Sequence, residues 1–356
     1  RSKLLAIINQ ADDSQWRREL RAALVAEDFD RLKELAKTDE VQLQSAELIA
    51  WLAAALRDVG EYDTSVTVLR KVHQQEPDDF WLNHELSQSL SRGGRTLEGV
   101  GYARAALSLR PESSGAWWGL AVSLRIAERF DEAIPAYRTA IKLDPKNVRA
   151  RQGLGFTLYR QGKLDEALAE YRTAIELDPK YAKLYSDLGF MLSEQGKLGE
   201  ATDAYEKAIE LDPISSHAHD QLATLLQKQN KLDEAIAEYR IAIEMNPHPG
   251  ALYNNLGVSY FLSGHYKDAV NNFKKALLHG YTGPKVYNNL GMALSKTGDF
   301  KAALDAFVKG NGEAGGYNNL GCVYLDMGYR AQAIASFKKA LALSPNYYQR
   351  AAENLQ

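Results

Sequence analysis

The chain has 356 residues with 43 basic and 46 acidic side chains, a formal net charge of −3, which argues against non-specific binding to nucleic acid. Its single cysteine, Cys322, excludes a disulfide framework and a zinc cluster built on thiolates. No apolar run is long enough to cross a bilayer, and the given sequence shows no signal peptide and opens at Arg1 without an initiator Met. We therefore expect a processed or excised piece of a cytoplasmic protein.

Residues 1–45 precede the regular part of the sequence and predict a helical cap over the first repeat, because the ends of repeat arrays need covering. A functional arm is the alternative. A short helix is predicted around 29–36, with Asp28 or Asp30 as its cap. An earlier helix has one apolar face, formed by Trp16, Leu20, Leu24 and Val25.

A 34-residue rhythm runs through the rest of the chain. The pentapeptide Tyr-Asn-Asn-Leu-Gly starts at Tyr253, Tyr287 and Tyr317. Such self-similarity indicates a protein of stacked repeats. Six prolines keep the same spacing: Pro77, Pro111, Pro145, Pro179, Pro213 and Pro247. With proline at position 32, nine repeats cover residues 46–347 and begin at Ala46, Phe80, Ser114, Val148, Ala182, Ser216, Gly250, Pro284 and Ala314.

The fourth repeat shows why each repeat should be a pair of helices. Gly155, at position 8 of the first helix, would let a neighbouring backbone approach closely. Gly162 should end this helix in the left-handed conformation, and the Asp165 carboxylate should cap the second one. The second helix should end before Pro179. Its buried stripe is predicted at positions 20, 24 and 27: Ala167, Tyr171 and Ala174.

The recurring positions are leucine at 7, a small residue at 8, alanine at 20 and an aromatic residue at 24. This pattern resembles the tetratricopeptide repeat (TPR) over about residues 46–347. The first two repeats depart from it, with Ser65 and Gly99 at position 20 and Leu69 and Ala103 at position 24. The resemblance implies an all-α fold, a right-handed α-solenoid superhelix of antiparallel helix pairs with a concave groove.

The end of the array is irregular. The eighth repeat, residues 284–313, is shortened around Gly310-Asn311-Gly312, and we expect its second helix to be short and the superhelical pitch to change there. The shortening has two open interpretations: a deletion that the fold tolerates, or a hinge or recess that receives a partner. Residues 348–356 should begin a further helix that caps the last repeat.

Positions 2, 5, 6, 9, 12 and 13 of each first helix, the groove positions, lie opposite the buried stripe and are not needed for packing within this scheme. Position 6 carries a row of polar side chains that can hydrogen-bond to a peptide backbone: Asp187, Gln221, Asn255, Asn289 and Asn319. The three asparagines resemble the asparagine ladder in the TPR region of protein O-linked N-acetylglucosamine transferases, which implies a peptide site. A solvated or helix-contacting amide is the alternative.

Earlier repeats carry aromatic side chains at groove positions, which are good anchors for a partner: Trp81, Trp118, Phe156, Tyr159 and Phe190. Packing between repeats is the alternative. Three arginines at groove positions could meet acidic groups of the same partner or form a solvated face: Arg125, Arg149 and Arg160.

Chemistry other than binding is poorly supported. His217 and His219 are two residues apart, so on a helix they point in different directions and make a poor chelate. Cys322 has no indicated histidine partner. No phosphate loop, nucleophile elbow or kinase signature is present, and no complete carboxylate clamp of the chaperone-tail-binding TPRs. We expect no cofactor, no metal and no catalysis.

The leading interpretation is a bacterial scaffold that binds an extended protein segment in the TPR groove. Self-association through the terminal repeats stays open. The alternatives are a regulatory or substrate-recruiting region of a larger kinase or glycosyltransferase, and a pilus or secretion assembly factor. Residues 10–18 and 79–83 resemble TPR tails of bacterial serine/threonine kinases. The Tyr-Asn-Asn-Leu-Gly copies and residues 346–348 resemble TPR lipoproteins of Tad-type pilus assembly, which would imply the periplasm. A natural mosaic or an engineered fusion of two such parts stays open.

Overall fold

The computed structural model describes residues 14–344, and throughout this range the chain is helical, without β-strands. It consists of two compact bodies, an N-terminal body (Arg1–Pro179) and a C-terminal body (Lys180–Gln356). The N-terminal body contains α1 (Gln15–Ala26), α2 (Phe29–Lys37), a 3₁₀ helix (Asp39–Leu43), α3 (Ala46–Asp58), α4 (Tyr62–His73), α5 (Phe80–Arg92), α6 (Thr96–Leu109), α7 (Ser114–Ile126), α8 (Phe130–Leu143), α9 (Val148–Arg160) and α10 (Leu164–Leu177). The C-terminal body contains α11 (Ala182–Glu194), α12 (Leu198–Leu211), α13 (Ser216–Lys228), α14 (Leu232–Met245), α15 (Gly250–Leu262), α16 (Tyr266–Leu278), α17 (Pro284–Lys296), α18 (Phe300–Asp326) and α19 (Arg330–Leu343).

The two N-terminal helices pack through a buried tryptophan. The Trp16 indole N–H lies 3.3 Å from the Leu35 carbonyl oxygen and 3.0 Å from Thr38 Oγ1, so its polar edge is satisfied. Asp28 caps α2 by accepting a hydrogen bond from the Arg31 backbone N–H, at 3.0 Å. The prediction that Val25 shares the buried face is wrong: its side chain is 67% exposed.

Within each later repeat the two helices pack through the aromatic residue at position 24. In the fourth repeat a Cβ on Gly155 would lie 2.7 Å from the buried ring of Tyr171. The expected close approach of a backbone is present, since the Ala167 carbonyl oxygen would lie 3.2 Å from that Cβ, but the Tyr171 ring comes closer still. Four later repeats show the same arrangement, in the pairs Gly189–Tyr205, Gly257–Phe273, Gly291–Phe307 and Gly321–Phe337.

The helix ends follow the local sequence. Gly162 has φ +78° and ends α9, as predicted, and α10 ends at Leu177, two residues before Pro179. Asp165 is not the N-cap of α10; that residue is Lys163, which makes no side-chain capping bond. Asp165 lies in the first turn, where a carboxylate interacts favourably with the positive end of the helix dipole.

The first two repeats keep the buried register despite their unusual residues. Ser65 and Leu69 are fully buried, and the Ser65 hydroxyl donates to the Ala53 carbonyl oxygen at 2.9 Å and contacts Ser89 Oγ at 2.8 Å. A hydroxyl is tolerated in this core because it has hydrogen-bond partners. Gly99 and Ala103 are also buried.

The shortened eighth repeat loses its connecting loop. Helix α18 runs from Phe300 to Asp326 with one break, at Gly312 (φ 73°, ψ 173°), where only glycine fits comfortably. The missing four residues therefore remove the usual turn, and the next first helix follows Gly312 almost directly. The predicted cap at 348–356 lies outside the described residues. The division into nine repeats and two caps stays a prediction.

Candidate functional site

The asparagines at position 6 form a ladder of side-chain hydrogen bonds between successive first helices of the C-terminal body. Each donates through Nδ2 to the position-5 side chain of the preceding repeat. The three rungs are Asn255 to Asp220 Oδ1 at 3.5 Å, Asn289 to Asn254 Oδ1 at 3.0 Å, and Asn319 to Asn288 Oδ1 at 3.1 Å. We call this set the amide ladder.

The amide ladder corrects the assumption that the groove positions are free of packing. Asn254 is fully buried and Asn318 is 8% exposed, so position 5 belongs to the contact between repeats. Burial raises the pKa of the Asp220 carboxyl, partly offset by the hydrogen bond from Asn255. The sequence carried a signal for these partners, because the first Asn of each Tyr-Asn-Asn-Leu-Gly copy supplies position 5.

The shortened repeat joins the ladder as well. Asn311, from the glycine-flanked segment, donates to Asn288 Oδ1 at 2.5 Å and to the Phe307 carbonyl oxygen at 3.1 Å. Asn288 therefore accepts from both Asn311 and Asn319. Asn311, in the segment that shortens the eighth repeat, therefore helps to orient Asn288 on the first helix of the same repeat.

Part of the position-6 hydrogen-bonding capacity remains available. Within residues 14–344, Oδ1 of Asn289 and of Asn319 accepts no hydrogen bond, and both side chains are half-buried. Gln221 is also half-buried and stands outside the ladder. Asp187 lies 3.6 Å from Lys183 Nζ and carries a charge that the amides lack. Among the position-6 side chains, the three asparagines are therefore the ones that are both uncharged and hydrogen-bonded to the preceding repeat.

Apolar side chains accompany the amide ladder at the neighbouring groove positions. Position 9 carries Val258, half-buried, and Met292, 37% exposed. Positions 12 and 13 add Leu262, 55% exposed, and Leu325, 46% exposed. A neutral amide row beside apolar side chains can hydrogen-bond a peptide backbone and bury small apolar side chains.

The N-terminal body carries an aromatic cluster at the first helices of the second and third repeats. His84 stacks on Phe80 at 5.8 Å between ring centroids, and the Trp81 and Trp118 rings each lie 6.3 Å from it. The Arg110 guanidinium lies 5.6 Å from the Trp81 ring centre. Trp81 is 42% exposed and Trp118 half-buried.

His84 was missed by the sequence argument, although it occupies groove position 5. Burial, with the nearby Arg57 charge, lowers the pKa of His84 to about 4, so the ring is neutral at pH 7. The Gly119 position admits this ring, since a Cβ there would lie 2.9 Å from His84 Cε1. In the sequence, the sign that His84 could be buried was Gly119, a glycine at position 6 of the next repeat.

The remaining predicted aromatic residues do not join this cluster. Phe156 and Tyr159 lie 6.4 Å apart on α9, and the Arg125 guanidinium lies 5.3 Å from the Phe156 ring centre. Arg160 is paired with Glu128 at 3.0 Å, whereas Arg149 is exposed. Phe190, in the C-terminal body, is 36% exposed. A binding role for these residues stays a prediction.

Ion pairs join the repeats of the N-terminal body. At position 6 of the second repeat, Glu85 pairs with Arg57, and both side chains are 13% exposed. Burial raises the pKa of Glu85, with the Arg57 charge opposing that shift. On the second helices, an arginine at position 25 meets a glutamate at position 19 of the next repeat. These pairs form the charge ladder: Arg70–Glu98, Arg104–Glu132 and Arg138–Glu166.

The buried histidine and the single cysteine have the following surroundings. His219 is 5% exposed and contacts Glu238 Oε2 at 2.6 Å and the Pro213 carbonyl oxygen at 3.2 Å, which is a structural role. Burial raises the pKa of the Cys322 thiol and so disfavours the reactive thiolate. Residues 14–344 hold no cluster of three potential metal ligands. None of the helices in that range is both long and apolar enough to span a bilayer.

Comparisons with known proteins agree on one repeat family. Models described as tetratricopeptide repeats match residues 35–108, 123–162, 157–196, 182–214, 204–237, 221–264, 284–310 and 314–347. No curated protein is detectably similar in sequence.

Solved structures share the fold. The Cut9–Hcn1 assembly of APC/C superposes with a TM-score of 0.54 at 18% identity, covering 92% of this chain and 58% of that one. A tetratricopeptide repeat protein of Parabacteroides merdae gives 0.51 at 19%, covering 72% and 98%. PilF of Pseudomonas aeruginosa gives 0.50 at 18%, covering 56% and 90%. At these identities the similarity concerns the fold alone.

Proposed function

Because the chain belongs to the tetratricopeptide repeat family, we propose that it is a non-catalytic interaction scaffold that binds an extended, uncharged protein segment along the amide ladder. The observation that carries this proposal is the row of half-buried asparagines held in fixed orientations by the preceding repeats. Oriented side chains lose little conformational entropy when a ligand binds, so the row is preorganised.

The chemistry of the row favours a peptide backbone. Oδ1 of Asn289 and of Asn319 can each accept a hydrogen bond from a backbone N–H, and the remaining Nδ2 hydrogen can be donated to a carbonyl. Such contacts do not depend on the partner's side chains. The apolar residues Val258, Met292 and Leu325 would then favour small apolar side chains over charged ones.

The aromatic cluster of the N-terminal body supports a second contact surface. Trp81 is exposed and rests beside a neutral His84, which suits an apolar or aromatic anchor of a partner. A Trp81→Ala variant should lose such an anchor without touching the amide ladder. Binding that survives unchanged in this variant would remove the cluster from the proposal.

The alternative functions are not favoured by a specific observation. A TPR region of a kinase or glycosyltransferase, and a pilus assembly factor, would use the same fold. The segments behind these narrower resemblances fall partly outside the described residues. They stay predictions, as does self-association.

The decisive experiment measures capture of a cell-derived peptide library by the purified chain and by two variants. Val258→Lys with Met292→Lys places charges beside the ladder while leaving its hydrogen bonds intact. Ala237→Lys with Ala331→Lys adds the same charge to exposed positions on second helices and is the matched control. We expect the first variant to lose the captured peptides and the control to retain them.

Equal capture by both variants would show that the peptides bind elsewhere. Capture of nothing by the unmodified chain would contradict the proposal directly. Helical circular dichroism of all three proteins should be the same, which separates loss of binding from loss of folding.

A further inference from the structure

The second helices of the C-terminal body carry segregated charge. Helices α12 and α14 together contain eight carboxylates and two cations, whereas α16, α19 and residues 300–312 of α18 together contain eight cations and two carboxylates. All eight of these cations are exposed. We call them the basic face: Lys267, Lys274, Lys275, Lys301, Lys309, Arg330, Lys338 and Lys339.

The fold leaves the basic face without carboxylate partners. Within residues 14–344, none of the eight cations forms an ion pair, and Lys275 and Lys339 lie over tyrosine rings instead, at 5.4 Å and 4.4 Å from the ring centres. In the charge ladder, by contrast, each arginine at position 25 meets a glutamate at position 19 of the next repeat. Lys274 also occupies position 25, but position 19 of the next repeat is Ala302. Unpaired like charges repel each other, so the basic face costs stability until an anion binds there.

Helical spacing places the centre of the basic face on one side of its helices. At 100° per residue, positions 18, 25 and 29 fall within an arc of roughly 40°. These positions hold Lys267, Lys274 and Leu278 on α16, Lys301 on α18 and Lys338 on α19. Leu278 is 82% exposed, so an apolar side chain projects beside the lysines.

We propose that the basic face binds the headgroup surface of an anionic lipid bilayer. Where this chain joins second helices by ion pairs it uses arginine, whose planar guanidinium matches a single carboxylate. The basic face consists of seven lysines and one arginine. A lysine ammonium is a point charge on a flexible stem, which suits the diffuse charge of many headgroups. Each lysine held near such a surface strengthens binding about fivefold, and Leu278 can enter the boundary between headgroups and acyl chains.

Other anionic partners fit the basic face less well. The acidic helices of a second copy would offer complementary charge, but some of their carboxylates already have partners: Glu210 pairs with Lys207 at 2.7 Å, and Glu238 contacts His219 at 2.6 Å. A nucleic acid would be held by stacking of its bases on aromatic side chains as well as by charge. None of the aromatic side chains within α16, α19 and residues 300–312 is exposed.

Bilayer binding would be independent of the peptide site. The basic face lies on second helices, whereas the amide ladder joins first helices. A chain bound to a bilayer through the basic face would therefore keep the amide ladder available, and loss of one activity should leave the other intact.

The test measures sedimentation of the full chain with two kinds of vesicle, phosphatidylcholine alone and an equal mixture of phosphatidylcholine and phosphatidylserine. We expect binding to the mixed vesicles only, and its loss at about 1 M salt, where charges are screened within about 3 Å. Lys267→Gln, Lys274→Gln and Lys338→Gln together should weaken this binding roughly a hundredfold.

A matched control removes the same amount of charge elsewhere. Lys142→Gln, Lys163→Gln and Lys197→Gln together change three exposed lysines outside the basic face. This variant should bind the mixed vesicles within about twofold of the unmodified chain. Helical circular dichroism should be the same for all three proteins, which separates weaker binding from loss of folding.

Three results would overturn the proposal. The first is no binding to the mixed vesicles, or equal binding to both kinds of vesicle. The second is an equal loss of binding in the two variants, because net charge and not the basic face would then be responsible. The third is a salt-sensitive dimer in sedimentation without vesicles that the basic-face variant disrupts and the control retains, because the basic face would then be occupied by a second copy.

Discussion

The two bodies join their repeats with different polar chemistry. In the N-terminal body, the second helices are linked by the charge ladder, whose Arg104–Glu132 and Arg138–Glu166 pairs are about half exposed. In the C-terminal body, the first helices are linked by asparagine amides, with one rung ending on the Asp220 carboxyl and Asn254 fully buried between repeats. The apolar register is the same in both, with Ala at position 20 and an aromatic ring at position 24 in most repeats.

This difference separates stability from binding. Exposed ion pairs contribute little and are screened by salt, so the charge ladder tunes the N-terminal body weakly. Buried amides lie at the candidate site itself, so the same side chains stabilise the C-terminal body and orient the face that would meet a partner. The side chains at position 6 show the contrast. Glu85 forms an ion pair with Arg57, whereas Asn289 donates through Nδ2 and its Oδ1 accepts no hydrogen bond within residues 14–344.

The largest effect is expected from Glu85→Ala. This change leaves the Arg57 guanidinium, 13% exposed, without its main partner, and we expect a loss of about 3 kcal/mol in the free energy of unfolding. Denaturant unfolding gives the loss, and hydrogen exchange in Ala46–Asp58 and Phe80–Arg92 locates it in the N-terminal body.

Replacing both partners serves as the control. Arg57→Met with Glu85→Leu removes the charges together and should restore much of the stability, since paired apolar residues often substitute for a buried ion pair. A single variant as stable as the unmodified chain would mean that Asp58, 3.1 Å from Arg57, suffices as a partner.

The sequence predicted the helices far better than the polar contacts between them. Position 24 could be recognised because Tyr137 or Phe307 must fill the space between two helices of one repeat, and that need recurs every 34 residues. The role of Asn254 could not be derived, because its neighbour Asn289 lies 35 residues away and a helix face alone does not say which polar residue meets the next repeat.

Two further misses have the same physical origin. Val25 fits the helical period of α1, but no helix within residues 14–344 covers it, and periodicity cannot supply a partner. His84 looked like an ordinary groove residue because its burial depends on the missing side chain of Gly119 in the next repeat. A contact between repeats depends on two residues in different repeats. The pattern of one repeat does not say which residue of the next repeat lies opposite.

A pH effect of about 2 kcal/mol is expected from His84. Its pKa is about 4 in the folded chain, against about 6.5 for an unfolded histidine, so the unfolded state binds more protons between these values. Stability of the N-terminal body should therefore fall as pH decreases from 7 to about 5. The measurement is denaturant unfolding across this range.

His84→Phe isolates this contribution, because it keeps a ring against Phe80 and cannot be protonated. Between pH 7 and about 5, the free energy of unfolding should fall by about 2 kcal/mol less in the variant than in the unmodified chain. If the two proteins follow the same pH curve, the ring is hydrated enough to be protonated in the folded state.

A somewhat smaller loss, about 1.5 kcal/mol, is expected for Asn254→Ala. The change removes the acceptor of the Asn289 rung and leaves a half-buried donor without its partner. Because no net charge is involved, the loss should be the same at low and high salt. Urea unfolding at both salt concentrations, with hydrogen exchange in the C-terminal body, measures it.

Asn271→Ala is the matched control for this variant, since Asn271 is an exposed asparagine on the second helix of the same repeat. It should change stability by less than about 0.5 kcal/mol. Equal losses in the two variants would show that the amide ladder adds nothing specific to the C-terminal body.

The smallest effect, about 0.5 kcal/mol, is expected for Arg104→Ala in the charge ladder. Arg104 lies 3.2 Å from Glu132, and their side chains are 55% and 45% exposed. Urea unfolding should detect the loss at about 0.01 M salt and lose it at about 1 M, where charges are screened within about 3 Å. Arg104→Lys should retain most of the stability, because it keeps the charge. A loss of stability that persists at high salt would instead be due to packing of the arginine stem. For this pair, the charge ladder would then not differ from the amide ladder in its response to salt.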